Sequence, residues 1–171
     1  MPSLTPADQM GLHISTLKKA QLQTYVTTGG SGRHPFPLAT YIRQTVSDRL
    51  TLAGSQLHVG DQLILGGSFR SSISRHYYAM YHAARAVVFA VEQGDDHEKH
   101  SELPRHLPQA MQNVAQHEAE LTDARLLRNK ADYDIYPANE ADWEADARAL
   151  ASTSAQFVSS FENFALQNGH I

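Results

Sequence analysis

The sequence contains no cysteine, which excludes a disulfide framework and a thiolate metal site. It also lacks an uncharged apolar stretch long enough to span a bilayer, because the longest strongly apolar run covers only residues 86–91. The N-terminal residues carry no basic segment followed by an apolar run, so we expect no secretory signal. These absences favour a cytoplasmic protein that does not associate with a membrane.

The sequence also has fewer basic than acidic residues. The chain has 14 Lys and Arg residues against 18 Asp and Glu residues, which gives a formal net charge of −4. Strong non-specific binding to nucleic-acid backbones needs a basic surface, so the composition argues against it while leaving a local basic site open. A length of 171 residues with 42% hydrophobic residues suits one globular domain with its own core.

Apolar residues recur at helical spacing along most of the chain, and no run of alternating β-branched residues predicts a strand. Glycine and proline between residues 29 and 37 predict a turn-rich connection. We therefore expect an all-α fold, an antiparallel helical bundle of about five to six helices over residues 37–171. Residues 1–36 are expected to form an N-terminal arm. The predicted helices cover residues 6–28, 38–65, 68–94, 107–115, 117–135 and the segment after Asn139.

The third predicted helix has the clearest apolar face. Ser68 is its expected N-cap and Gly94 its expected end. A stripe of alanines beside the apolar face would let another helix approach closely. Tyr78, His82 and Arg85 fall on the opposite side, where solvent or a dimer surface is expected. The apolar face consists of Ile73, Tyr77, Met80, Tyr81, Ala84, Val87, Val88 and Val91.

Three local sequences distinguish this chain from a generic bundle. They are Ser74-Arg75-His76-Tyr77-Tyr78-Ala79-Met80-Tyr81-His82-Ala83-Ala84-Arg85, Lys99-His100-Ser101, and Arg128-Asn129-Lys130-Ala131-Asp132-Tyr133-Asp134. In the HEPN family, a helix with a YYAM(F/Y)HAAR-like core precedes a loop with a KHS-like element. A later helix then ends in an arginine motif, written R-N-x-x-x-H or, in one branch, R-x-x-A-D-Y. Over residues 38–165 the order and separation of the three sequences resemble this family.

The resemblance implies a bundle that dimerises, with the arginine motifs of two protomers meeting near the twofold axis to form a composite RNA-cleaving site. It also implies a minimal nucleotidyltransferase partner that acts as antitoxin. We therefore expect a dimeric component of a toxin–antitoxin-type pair that binds RNA or a nucleotide and needs no cofactor. The candidate binding residues are Arg128, Asn129, Tyr78, His82, Arg85 and His100.

An active metal-independent endoribonuclease toxin is the alternative. Such cleavage needs a base for the 2′-hydroxyl, an acid for the leaving oxygen and a cation for the phosphate. Arg128 suits the cationic role, but the histidine of the active family pattern is absent, because residues 133–135 are Tyr, Asp and Ile. Catalysis would have to use Asp132 or Tyr133 with Arg128. Since aspartate is a weak base and a free tyrosine has a pKa of about 10, we favour binding over catalysis.

Plainer interpretations of these residues also stand. Arg128 and Asp132 are four residues apart and suit an ion pair on a solvated helix face, which would leave a non-catalytic helical interaction protein. Tyr77, Met80 and Tyr81 share a stripe that is typical of a core.

A metal site is not expected. Histidines 97, 100 and 106, with glutamates 98 and 102, lie in a loop without a rigid ligand pair on one helix. No glutamate has a histidine three residues later, as di-iron bundles require. Glycine-rich nucleotide motifs and the sequence motifs of serine hydrolases and zinc proteases are also absent.

Overall fold

The computed structural model describes residues 3–28 and 35–171, and this part of the chain has six α-helices, two short 3₁₀ helices and no strand. The all-α prediction is therefore confirmed. None of the helices in these two ranges combines the length and apolarity needed to cross a bilayer. The α-helices are α1 Pro6–Ile14, α2 Lys19–Thr28, α3 Leu38–Leu65, α4 Phe69–Glu92, α5 Val114–Tyr133 and α6 Glu144–Gln167, and the 3₁₀ helices are Leu103–His106 and Glu140–Trp143.

Helix α4 lies at the centre of the bundle, where α3, α5 and α6 all pack against it. Its predicted apolar face is buried except for Val91, which is exposed near the end of the helix. The alanine stripe is buried too, as expected of small residues where helices approach closely. Helix α6 adds Phe157 and Phe161, whose rings stack with 4.2 Å between their centres. Each such large apolar side chain stabilises the fold by about 1.5–3 kcal/mol.

Helix α3 has the predicted bounds and α4 has the predicted N-cap, but the C-terminal end of α4 differs from the prediction. Gly66 caps α3, and Gly67 has a φ of +74°, in the left-handed region that favours glycine. Ser68 does occupy the N-cap of α4, although its side chain makes no capping hydrogen bond. Helix α4 ends at Glu92, and the left-handed residue after it is Gln93 rather than Gly94.

The predicted helix over residues 107–115 is wrong. Residues 107–113 form turns and bends, preceded by the 3₁₀ helix Leu103–His106. Asn113 has a φ of +56°, in the left-handed region, so a right-handed helix cannot run from residues 107–112 into α5. The next helix also has different bounds from the predicted 117–135, because α5 begins at Val114 and ends at Tyr133.

The N-terminal segment has two helices rather than the predicted single helix. Thr5 and Asp8 form a capping box at the start of α1, and the chain leaves helical geometry between α1 and α2. Ile14 and Leu22 are fully buried in the same core as the bundle. The arm therefore packs on the bundle. The predicted turn-rich connection lies largely outside the described residues, and the domain boundary at residue 36 stays a prediction.

Candidate functional site

Arg128 lies near the end of α5 and is held by α4. Its Nη2 donates a hydrogen bond of 2.9 Å to the Tyr78 hydroxyl, and its Nε lies 2.6 Å from an oxygen of Asp132. The Nε contact is an ion pair rather than a well-directed hydrogen bond, since Nε has no hydrogen-bond partner of good geometry among the described residues. Only 19% of the Arg128 side chain and 26% of the Asp132 side chain are exposed. The predicted pair exists, but it is partly buried rather than on a solvated face.

Asp132 and Tyr133 have different roles around Arg128. Asp132 accepts a hydrogen bond from the Ser74 hydroxyl of α4 as well as pairing with Arg128. Its carboxylate therefore joins α5 to α4 and orients the guanidinium. Tyr133 is 73% exposed, and the centre of its ring lies 5.7 Å from the Arg128 guanidinium carbon. The three candidate catalytic residues thus come together at the end of α5.

A cavity of about 430 Å³ opens beside Arg128, between α4, α5 and the loop before residue 103. No Asp or Glu is among its lining residues, although Lys99 contacts Glu102 at 3.2 Å and Arg128 contacts Asp132. Positive charge is therefore concentrated at one opening. We call this cavity the cationic groove; it is lined by Tyr77, Lys99, His100, Ser101, Arg125, Arg128 and Asn129.

Arg125 contributes a second guanidinium to the cationic groove. It precedes Arg128 by three residues and so lies on the same face of α5. Its Nε atom is buried and has no hydrogen-bond partner in the part of the chain that the structure describes. Leaving a buried polar atom of a charged group without a partner costs free energy. An anion in the groove would interact favourably with this guanidinium.

His100 reaches the groove from the loop. Its Nδ1 is hydrogen-bonded to the Tyr77 hydroxyl, and its ring stacks on Tyr81 with 4.1 Å between ring centres. Burial lowers the pKa of His100 below its ordinary value, and nearby guanidinium groups lower it further, so the ring is neutral at pH 7. Its Nε2 makes no hydrogen bond to any residue described. Burial also raises the pKa of Tyr77, which keeps that hydroxyl protonated.

His82 and Arg85 do not line the cationic groove. They line a separate cavity of about 360 Å³ between α1, α3 and α4. Arg85 donates hydrogen bonds to both carboxylate oxygens of Asp95, which is only 4% exposed. Burial, and then the charges of Arg85 and Arg49, lower the pKa of His82 to about 4. The predicted binding residues are therefore split between the cationic groove and this second cavity. Tyr78 lies between them, because its hydroxyl binds Arg128 and the centre of its ring is 6.3 Å from that of the His82 ring.

Four groove residues were not among the predicted site residues. Lys99 and Ser101 flank His100 in the quoted motif, so their signal was present in the sequence. Arg125 could have been found from its helical spacing to Arg128. Tyr77 is buried as predicted, but its hydroxyl still reaches His100.

The loop histidines do not converge on a metal site. The rings of His97 and His106 stack with their centres 3.4 Å apart, while His100 bonds to Tyr77. Within residues 3–28 and 35–171, no three His, Asp or Glu side chains gather as metal ligands. A larger cavity of about 470 Å³ lies between α5 and α6, but half of its lining residues are Asn or Gln, and it includes none of the candidate residues.

The fold and the site define an all-α helical protein with a cationic groove between α4, α5 and a loop. Comparisons with protein-family models, with curated proteins and with solved structures find no match for the chain. The HEPN resemblance therefore depends on the three sequence motifs and stays a prediction.

Proposed function

We propose that the protein binds a phosphate-bearing ligand, RNA or a nucleotide, in the cationic groove. The observation that carries this proposal is the convergence of Lys99, Arg125 and Arg128 on one opening with no lining carboxylate, in a chain of net charge −4. Guanidinium groups bind phosphate oxygens through forked pairs of N–H donors. Binding is then local and depends on these few residues rather than on a broad basic surface.

The neighbours of the two arginines support this role. Tyr78 and Asp132 hold Arg128 in one orientation, so less side-chain entropy is lost when a phosphate binds. Asn129 and Ser101 add neutral hydrogen-bonding groups to the groove lining. The exposed ring of Tyr133, next to the Arg128 guanidinium, is suited to stack on a base of single-stranded RNA.

Fluorescence anisotropy with a short fluorescein-labelled single-stranded RNA tests the proposal. Arg128→Ala should weaken binding by about tenfold or more, because it removes one charge-assisted phosphate contact. Arg148→Ala is the matched control, since Arg148 pairs with Glu144 on the exposed face of α6 and lies outside the groove. Equal affinities for the two variants would reject the groove as the binding site. A labelled ATP analogue in the same assay separates nucleotide binding from RNA binding.

The three motifs support a wider form of the proposal, a dimeric HEPN-like component paired with a minimal nucleotidyltransferase antitoxin. Tyr133, Ile135 and Tyr136 are all more than 70% exposed where α5 ends, which suits a protein–protein contact next to the groove. Light scattering after gel filtration tests the dimer, and co-purification with the product of the neighbouring gene tests the partner. A monomer at high micromolar concentration that captures no nucleotidyltransferase would remove both parts.

RNA cleavage is a second candidate function, favoured by the position of neutral His100 beside two guanidinium groups. His100 would take the role considered for Asp132 or Tyr133. The 2′-hydroxyl proton passes to Nε2, the 2′-oxygen bonds to phosphorus, and the bond to the 5′-oxygen breaks. That oxygen takes a proton from water, and the imidazolium returns its proton to the solvent. The reaction requires the tautomer in which Nδ1–H donates to the Tyr77 oxygen.

Incubation of the RNA with the protein in EDTA tests this candidate, with 2′,3′-cyclic phosphate ends as the expected product. His100→Gln should abolish cleavage and leave RNA binding largely intact. His97→Gln alters a neighbouring loop histidine outside the groove and should cleave like the wild type. A wild type that binds the RNA without cleaving it would remove this candidate and leave the binding proposal standing.

A further inference from the structure

We infer that the N-terminal segment, residues 6–28, is a clamp that holds the loop of the cationic groove in place, so that docking of this segment controls the groove. The inference about ligand affinity rests on the proposed function, whereas the inference about the loop does not. The loop, residues 93–100, leads directly from α4 to Lys99 and His100. It has no regular secondary structure and is therefore positioned by side-chain and backbone contacts.

The connection between α1 and α2 makes successive contacts with this loop. The backbone N–H of Asp95 donates to the Leu17 carbonyl at 2.8 Å, and the backbone N–H of Lys19 donates to the Asp96 carboxylate at 2.8 Å. Between them, the Lys18 ammonium contacts the Asp95 carbonyl. Three consecutive residues of the segment thus bind two consecutive residues of the loop.

A buried charge cluster extends the contact to the bundle. The Asp95 carboxylate is bound by Arg85 of α4 and by Arg49 of α3, whose Nη2 lies 3.1 Å away. The same nitrogen of Arg49 donates to the Ser15 carbonyl at 2.6 Å. Helix α3, helix α4, the loop and the N-terminal segment therefore share one set of hydrogen bonds, which becomes incomplete if the segment leaves.

Gly94 allows the loop and the N-terminal segment to approach each other closely. A Cβ atom at this position would lie 2.2 Å from the backbone nitrogen of Lys19, a distance that no real contact allows. Glycine is therefore required by the close approach of the N-terminal segment. Substitution at Gly94 offers a way to push the segment off the loop without changing any charge.

The held part of the loop is coupled to the groove. Lys18 also contacts the Glu98 carboxylate, and the Glu98 carbonyl accepts a 2.6 Å hydrogen bond from Tyr81. The ring of Tyr81 is the one on which His100 stacks. Displacement of residues 95–98 therefore moves the groove residues that follow them, Lys99 and His100.

Fewer buried apolar side chains hold the clamp on the bundle than hold the bundle helices to one another. Ile14 and Leu22 are the only fully buried large apolar residues of α1 and α2, and the Lys18–Glu98 ion pair is about two-fifths exposed on each side. Segments with few buried apolar contacts open at a lower free energy than the whole fold. Undocking of residues 6–28 can therefore occur while the bundle stays folded.

Hydrogen–deuterium exchange of the full-length chain tests the clamp, comparing Gly94→Ala with Gly11→Ala. Gly11 lies in α1, and a Cβ there would meet no atom of the described residues within 4 Å, so it is the matched control. In Gly94→Ala, amides of residues 6–28 and of residues 95–100 should both exchange about tenfold faster, while buried amides of α4 and α6 keep their protection. Gly11→Ala should accelerate exchange in neither region, because it leaves the contact with the loop intact and raises the helix propensity of α1.

Independent behaviour of the two regions would overturn the inference. That result would be faster exchange of residues 6–28 in Gly94→Ala with unchanged protection of residues 95–100. Lys18→Gln provides a second route to undocking if Gly94→Ala does not fold, and the same comparison applies to it. A wild-type thermal transition retained in Lys18→Gln would keep the test interpretable.

RNA affinity supplies the functional readout. Undocking by Gly94→Ala should weaken binding of the fluorescein-labelled RNA severalfold and shift the His100 ring resonances, whereas Gly11→Ala should do neither. Unchanged affinity with a displaced loop would reject control of the groove by the clamp. Failure of the wild type to bind RNA would reject the proposed function alone, because the exchange and His100 measurements need no ligand.

Discussion

Arg128 and Tyr78 are joined by a 2.9 Å hydrogen bond between Nη2 and the hydroxyl oxygen, although they are 50 positions apart in the chain. The guanidinium carbon also lies 5.3 Å from the centre of the Tyr78 ring. Two of the three sequence motifs, on α4 and on α5, therefore meet at this contact. Their meeting explains why one arginine is fixed at the edge of the cationic groove.

Removing the hydroxyl should loosen Arg128 without removing its charge. We expect Tyr78→Phe to lower the free energy of unfolding by about 1 kcal/mol, since Asp132 still pairs with the arginine. RNA affinity should fall severalfold because the guanidinium is less fixed. Tyr41→Phe is the control, as the Tyr41 hydroxyl makes no hydrogen bond among the described residues. Urea unfolding and anisotropy measure the two effects, and equal affinities for both variants would contradict the positioning role.

Arg125 should contribute to ligand binding and little to stability. Its Nε is buried without a partner within the described part of the chain, so Arg125→Gln, which removes that atom, should not lower the free energy of unfolding by more than about 0.5 kcal/mol. If Arg125 contacts a phosphate, the plot of log affinity against log salt should lose about 1 unit of slope. Arg148→Gln, on the exposed face of α6, should leave that slope unchanged. An unchanged slope in Arg125→Gln would exclude a phosphate contact.

The sequence predicted the fold best where local signals agree. Helix α3 has the predicted bounds because its apolar period stops at Gly66 and Gly67. The break between α1 and α2 at residues 15–18 was not predicted, because it depends partly on a tertiary contact, the hydrogen bond from the Asp95 N–H to the Leu17 carbonyl. No sequence pattern within residues 6–28 identifies Asp95 as the donor of that hydrogen bond.

The positions of the candidate site residues could also be predicted where the residues belong to one local motif, but not where a tertiary contact places them. Arg128, Asp132 and Tyr133 belong to one motif at the end of one helix, and they come together in space. The separation of Arg85 from the groove was not predictable from its helix face alone. It results from Asp95, whose carboxylate Arg85 binds and which lies in an irregular loop. Side-chain hydrogen bonds across a loop leave no periodic signal in the sequence.

Acid should destabilise the protein partly through His82. Its pKa is about 4 in the folded chain against an ordinary value of 6.5, so between these values the unfolded chain binds the extra proton. The stabilisation of the folded chain by neutral His82 is fully present above pH 6.5 and is lost as the pH falls toward 4. Below pH 4 the loss is complete and grows no further. His82→Gln should therefore flatten the dependence of Tm on pH in this window. A profile no flatter than that of the exposed-residue control His58→Gln would show that His82 does not cause it.

Gly60 of α3 faces the His76 ring of α4 where these two helices pack together. A Cβ atom at Gly60 would lie 2.7 Å from Nε2 of the His76 ring, which is fully buried, so any displacement of the ring disturbs the core around it. We expect Gly60→Ala to lower the free energy of unfolding by about 1–3 kcal/mol through overpacking. In the same helix, the Cβ atom of Gly54→Ala would meet nothing within 4 Å in the described part of the chain, and this variant should instead be stabilised by up to about 1 kcal/mol. Urea unfolding of both variants compares them, and a neutral Gly60→Ala would mean that α3 and α4 pack less closely than described.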